Sequence, residues 1–412
     1  MTKPEETAPN AYRWVILAGV WLLYCAFGLV ATSFAPLVGL IESDLQMTHA
    51  AMGSIMGAWQ LVYIFSAIPC GILLDKLGPR WALTAGGLLI AASAGFRGVA
   101  DSYTALLLAV MLFGVGGPIV SAGAPKVVTA LFTGSSRGLA MGIYMTGPAI
   151  GGVISLTQTH ATLLPNFDGQ WRSVMLLWAG FGTLASLAWL AIACHSSLDR
   201  APATASTGTA LPQTQILLNL IRAPAVVLVL LMSVGVFLFN HGLNNWLPSL
   251  LQQNGMDLVT AGYWAAIPTV IGIAGSLLIP RLATPGRRFP ILIGLSLAAA
   301  AASLLLHFQY EPLLFMGLLL QGIARSALMT VLILTLVELP AIGDRYAGVA
   351  SGLFFSAAEV GGVLGPLSLG FLFDLTGHFD AGLYLLTGIG LALAFGAYRL
   401  RQLASQPVAP PG

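Results

Sequence analysis

Arg325, Lys126, Glu359 and His241 are ionisable side chains set in otherwise apolar stretches of the chain. Charged groups in such surroundings are costly to keep and usually carry function. A guanidinium with no acid beside it invites an anion, which it can hold through two parallel hydrogen bonds. Arg325 therefore reads as an anion clamp, or else as half of an ion pair between segments, with Glu359 the candidate partner. A carboxyl in apolar surroundings can pass between neutral and charged forms, so Glu359 suits a proton-coupling role unless it is permanently paired. Lys126 follows Pro125; it can snorkel toward a polar surface or line the mouth of a cavity. His241 lies in Phe239-Asn240-His241-Gly242-Leu243-Asn244-Asn245-Trp246-Leu247-Pro248. Asn240, His241, Asn244 and Asn245 are hard to place against an apolar solvent. They are expected to interrupt their helix and face a cavity, with Gly242 and Pro248 allowing a bend. A lone histidine is more often a hydrogen-bonded structural residue than a proton relay. Tyr24, Trp59, Gln60 and Tyr63, with Trp21, give the N-terminal half a similar aromatic and amide face, part of it packing. The sequence contains no H-E-x-x-H, G-x-S-x-G or G-x-x-x-x-G-K-S/T, so neither an enzyme nor an ATP-driven machine is indicated. No cofactor or metal site is expected: Cys25, Cys70 and Cys194 have no C-x-x-C spacing and read as small buried hydrophobes.

The elements that must position these residues are long and apolar. Of 412 residues, 57% are hydrophobic and 8% charged, against about 25% charged in a soluble domain. Backbone groups in lipid must be satisfied within the segment or in a closed barrel. Runs of about 20 apolar residues without alternation choose helices. Twelve are read: 14–36, 48–74, 81–100, 103–131, 138–161, 172–194, 224–250, 258–279, 289–307, 312–338, 347–373 and 380–398. The polar stretch Met1–Tyr12 leads straight into the first of them, with no cleavable signal expected. At about 1.5 Å per residue, Arg325 lies roughly 21 Å along the tenth span, past the middle of a core about 30 Å thick. Lys126 lies roughly 34 Å along the fourth, near its end. Glu338 is expected at the membrane surface.

Net charge is only +2, yet its placement orients the chain. With a cytoplasmic N-terminus, Lys76, Arg80, Arg137, Arg222, Arg287 and Arg288 fall inside, and Arg97 and Arg172 near the outer face. That bias follows the positive-inside rule and puts both termini in the cytoplasm of a cell whose inner membrane the chain spans. No basic cluster suggests nucleic acid.

The interval 196–223, rich in Pro, Ser and Thr, reads as a cytoplasmic linker between residues 1–195 and 224–412, two six-helix halves. The halves repeat one another. Arg137-Gly-Leu-Ala-Met-Gly142 through Gly151-Gly152 in the fifth span matches Ala347-Gly-Val-Ala-Ser-Gly352 through Gly361-Gly362 in the eleventh. Small residues at these places let helices approach closely and slide. Parallel repeats of this kind imply a solute site at the midplane between two rocking halves.

The turn Gly71-Ile72-Leu73-Leu74-Asp75-Lys76-Leu77-Gly78-Pro79-Arg80 between the second and third spans resembles the signature loop of the major facilitator superfamily. That family consists of twelve-helix secondary transporters in two bundles, and the resemblance covers almost the whole chain. Pro125-Lys-Val-Val-Thr-Ala-Leu-Phe132 with Arg137-Gly138 resembles the fourth helix of nitrate/nitrite porters, and His241-Gly-Leu-Asn-Asn-Trp-Leu-Pro248 the seventh helix of cyanate-transporter-like members. The resemblance implies a conformational gate at Gly71, Asp75, Gly78, Arg80 and Arg137. It implies that Asp75 faces the start of the eleventh helix near Ala347–Gly348. The expected function is movement of a small anion by alternating access, with protons or by exchange, by a monomer in the lipid bilayer. An efflux pump for neutral or cationic drugs is the rival within the class, and would want an acidic cavity. A non-transporting membrane sensor is the rival outside it, and would want a sizeable output domain.

Overall fold

The computed structural model describes residues 11–195, 220–339 and 342–404, the side chains of 135, 343–348 and 404 excepted. The linker expected at 196–223 thus lies largely outside the described residues. Among the described residues every element is a helix. Helix α1 is Tyr12–Thr32. His49–Val99 is one run of 51 residues, about twice the length needed to cross a bilayer. Gly78 breaks it into α2 (49–77) and α3 (79–99) by taking φ 75°, ψ 164°, a conformation that a side chain would strain. Then come α4 Tyr103–Leu131, α5 Gly134–Gln158, α6 Trp171–Cys194, α7 Pro224–Gln253, α8 Leu258–Leu282, α9 Arg288–Leu305, α10 Glu311–Val337, α11 Gly343–Thr376 and α12 Asp380–Ala404. Each span expected from the sequence is present, and the turn after Asp75 is shorter than expected, reduced to Gly78.

Helix starts are marked by side chains that satisfy free backbone N–H groups. Thr48 Oγ1 accepts from Ala51 N at 3.2 Å, Ser102 Oγ from Ala105 N at 3.4 Å, and Asp257 Oδ1 from Val259 N and Thr260 N at 3.0 Å. Four details differ from expectation. The first span does not end at 36 but turns through Ala35–Leu37 into a short helix, Val38–Leu45. The fifth continues into a wide turn at Thr159–Leu163. The polar cluster around His241 does not interrupt α7, which runs on through Pro248. Cys194 is exposed, while Cys25 and Cys70 are buried as expected.

The packing reproduces the repeat. A methyl group added at Gly151 of α5 would overlap the Cys25 carbonyl oxygen of α1, and one at Gly361 of α11 would overlap that of Val234 in α7. The matched glycines therefore hold matched helix pairs in contact, where lipid supplies no hydrophobic drive between helices. Phe65, Ile68, Leu184 and Phe395 point outward and are exposed, as surfaces facing hydrocarbon should be.

Arg97 closes α3 but is not exposed there. It is 2% exposed, turned back from the end of α3. Its Nη1 donates to the Val30 carbonyl at 2.9 Å, and its guanidinium lies 4.7 Å from the Phe34 ring centroid. It pins the end of α1 where that helix breaks.

Candidate functional site

Helices from both halves enclose a cavity of about 330 Å³. Phe27 and Thr32 come from α1, Trp59 from α2, Met145 and Ala149 from α5, His241, Asn244 and Asn245 from α7, Thr269 from α8 and Arg325 from α10. A second cavity of about 170 Å³ adjoins it, sharing Met145, Ala149, Thr269 and Arg325. It adds Gly142, Thr146, Ile273, Ser276, Leu277 and Ser326. These residues lie nearer the start of α5 and the end of α8. The space therefore extends from Arg325 toward the face that carries the start of α1 and the end of α12, called here the terminal face.

Arg325 Nη1 donates to Thr269 Oγ1 at 2.9 Å. Among the described residues no acid forms an ion pair with it, so the pairing with Glu359 is not found. The guanidinium stands at the junction of the two cavities with most of its donors directed to no protein acceptor. A five-donor cation so placed can bind an anion with little rearrangement.

Beside the cavity, Gln60 Nε2 lies 3.2 Å from His241 Nδ1 and joins α2 to α7 across the two halves. The His241 ring meets Trp59 edge-on at 5.8 Å between centroids. Asn245 Nδ2 donates to the His241 carbonyl at 2.8 Å, leaving its amide oxygen for the cavity. Gln60 is fully buried and its Oε1 has no partner.

Glu359 does not line the cavity. It is 6% exposed and its Oε2 has no partner. A methyl group added at Gly362 would stand 2.8 Å from that oxygen and 2.9 Å from Gln60 Cγ. The acid therefore sits beside Gln60, between the halves.

The remaining expected site residues fall elsewhere. Tyr24 is buried against Phe27 and Tyr144. Tyr63 Oη and Ser121 Oγ share a hydrogen bond of 2.9 Å. Asn240 is outside the cavity lining, its Oδ1 buried without a partner. Lys126 binds Asp75 at 2.5 Å, both side chains largely exposed. That pair lies within the N-terminal half. The contact expected between Asp75 and the region of Ala347–Gly348 falls on residues whose side chains lie outside the described set. Arg80 Nε donates to the Ala193 carbonyl at 3.1 Å, tying α3 to α6, and Arg137 is exposed at the head of α5. Gly71 has open space beside it.

Sequence reading missed Thr269, Thr32, Thr146, Ser276 and Ser326. Hydroxyls in helices commonly bond their own backbone, so residue type alone does not mark those that face a cavity. It also missed the seam at the face opposite the terminal one. There the Asp374 carboxylate accepts from His49 N at 3.0 Å and Ala50 N at 2.8 Å, capping α2 from the end of α11. The His49 ring lies flat between Phe373, at 3.8 Å between centroids, and Trp246, at 5.1 Å. A methyl group added at Gly53 would stand 2.5 Å from the Pro366 carbonyl oxygen, so the halves touch through backbone.

A family model described as Major Facilitator Superfamily matches residues 20–366. A quinolone resistance transporter of Acinetobacter baumannii is 27% identical, the match covering 89% of each chain. The probable galactarate/D-glucarate transporter GudP of Escherichia coli (strain K12) is 22% identical over 98% of this chain and 97% of its own. A crystal structure of a mutant nucleoside transporter NupG superposes with a TM-score of 0.78 at 14% identity, covering 93% of this chain and 99% of that one. The narrower resemblance to cyanate and nitrate carriers rests on its two sequence motifs alone.

Proposed function

The chain belongs to the Major Facilitator Superfamily, and from that premise we propose that it carries a small organic anion across the inner membrane by alternating access, with Arg325 as the anion clamp. The observation that carries this reading is a guanidinium at the centre of an inter-half cavity, bonded to a hydroxyl and to no acid. An unpaired cation in a low-dielectric setting gains most from a ligand of opposite charge. The relative GudP is named for sugar acids, which agrees in charge. A pump for cationic drugs, the rival within the class, wants an acid in the cavity wall. The described lining contains none.

In this proposal residues 1–195 and 224–412 rock as a monomer about the cavity. Both termini are cytoplasmic, and the arrangement described is open inward. Glu359, beside Gln60 at the seam between the halves, is the coupling acid. Its protonation removes a buried charge from the surfaces that must part.

Uptake of labelled small carboxylates into vesicles containing the purified protein tests both roles. Arg325→Gln should lower uptake at least about a hundredfold, and Arg325→Lys should restore little, because an ammonium does not reproduce the fork. Glu359→Gln should keep solute exchange yet lose accumulation driven by a pH gradient. Full activity of the Arg325→Gln protein would remove the anion clamp; gradient-driven uptake by Glu359→Gln equal to the parent would remove the coupling role.

A further inference from the structure

We infer that the cavity admits solutes bearing one carboxylate and rejects those bearing two, so that the substrate is a monoanion with an uncharged, hydrogen-bonding remainder. The inference rests on the anion reading above and adds to it a count of charges. In the described walls of both cavities Arg325 is the only charged residue. One guanidinium can neutralise one carboxylate.

The rest of the lining cannot receive a second. It offers the neutral amides Asn244 and Asn245 and the ring of His241. The Gln60 amide N–H at 3.2 Å from His241 Nδ1 suits a ring nitrogen that accepts, which is the neutral imidazole. Beside Gln60 stands Glu359, itself buried and with one oxygen unpartnered, so no cation waits there either. A second carboxylate reaching these residues meets neutral amides and no cation. While the cavity is open, water can solvate that carboxylate. Alternating access requires the halves to close over the solute, and the water is then lost. An unpaired carboxylate shut into such a space is strongly disfavoured. Amides and imidazole are instead good partners for hydroxyl groups, which both donate and accept. The chain departs here from its relative GudP, whose named solutes, galactarate and glucarate, are diacids.

Matched probes separate this inference from the reading beneath it. Gluconate, glucarate and glucose differ at their chain ends; lactate and malate repeat the mono- and diacid comparison at small size. Titration calorimetry on the purified full chain should show binding of at least one monoacid, with its diacid partner roughly a hundredfold weaker or more. A diacid that binds as tightly as its monoacid overturns the inference and leaves the anion reading standing. Glucose binding without any anion, or no anion binding at all, overturns the anion reading and the inference with it. Asn244→Lys supplies a second cation in the lining, on α7. It should raise the affinity for glucarate relative to gluconate at least about tenfold, near 1.4 kcal/mol. A variant that still binds gluconate and shows no such gain also overturns the inference.

Discussion

The two faces of the molecule treat the same sequence pattern differently. At the terminal face, Gly71-Ile-Leu-Leu-Asp75-Lys-Leu-Gly78 closes α2, and Asp75 gives its carboxylate to Lys126 of its own half. At the opposite face, Gly370-Phe-Leu-Phe-Asp374-Leu-Thr-Gly377 closes α11, and Asp374 gives its carboxylate to the first N–H groups of α2, in the other half. A carboxylate on the start of a foreign helix joins two bodies; a carboxylate on a lysine of its own bundle joins nothing across the gap. Around Asp374 the His49 ring stack and the Gly53–Pro366 contact close the seam. Around Asp75 the side chains of Ile72, Leu73 and Leu77 stay exposed. The lesson is that one turn can serve as a clasp or as a spare, depending on which face is shut.

The largest effect on the closed face is expected at Gly370, where an added methyl group would overlap the His49 carbonyl oxygen. Gly370→Val should force α2 and α11 apart, since overpacking costs about 1–3 kcal/mol and the neighbour here is backbone. A cysteine placed at Asn244 in a cysteine-free background should then label readily from the face opposite the termini. Labelling as slow as in the parent would show that the seam is not what closes that face.

A smaller opening is expected from Asp374→Asn. Loss of a capping carboxylate costs about 0.5–2 kcal/mol, so labelling from the same face should rise by roughly twofold to thirtyfold. The Gly370 and Asp374 effects should not add fully, because both act on one contact. The smallest effect belongs to Asp75→Asn. An exposed pair is worth under about 1 kcal/mol, and this one spans no gap in the arrangement described. Labelling from the opposite face should hardly change, whereas a rise as large as that of Asp374→Asn would mean that the two turns do not differ.

Much of this could be read along the chain, and the reasons are local. Apolar runs of bilayer length marked the spans, Gly78 marked its own break, and the Gly151 and Gly361 pairs announced close packing before their partners were known. Arg325, His241, Asn244, Asn245 and Trp59 were found because polar or amphipathic groups in apolar helices need somewhere to point. What stayed hidden depends on residues far apart in sequence. Asp374 and His49 are separated by 325 positions, and no local rule pairs them. Arg97 was expected near the outer face from charge placement, which gives no hint that it folds back under the end of α1. Lys126 had two open roles, and only the approach of α2 to α4 gives it Asp75.

Binding tests the role of Arg325 more directly than flux does, because flux also depends on both gates. Thermal unfolding of the purified parent and of Arg325→Gln can be followed with rising concentrations of small monocarboxylates. A ligand held only by the folded state raises the midpoint as its concentration passes its dissociation constant. The parent should shift with at least one monocarboxylate, and Arg325→Gln, with an unliganded midpoint close to that of the parent, should not shift at all. An equal shift in both proteins would contradict an anion held by Arg325.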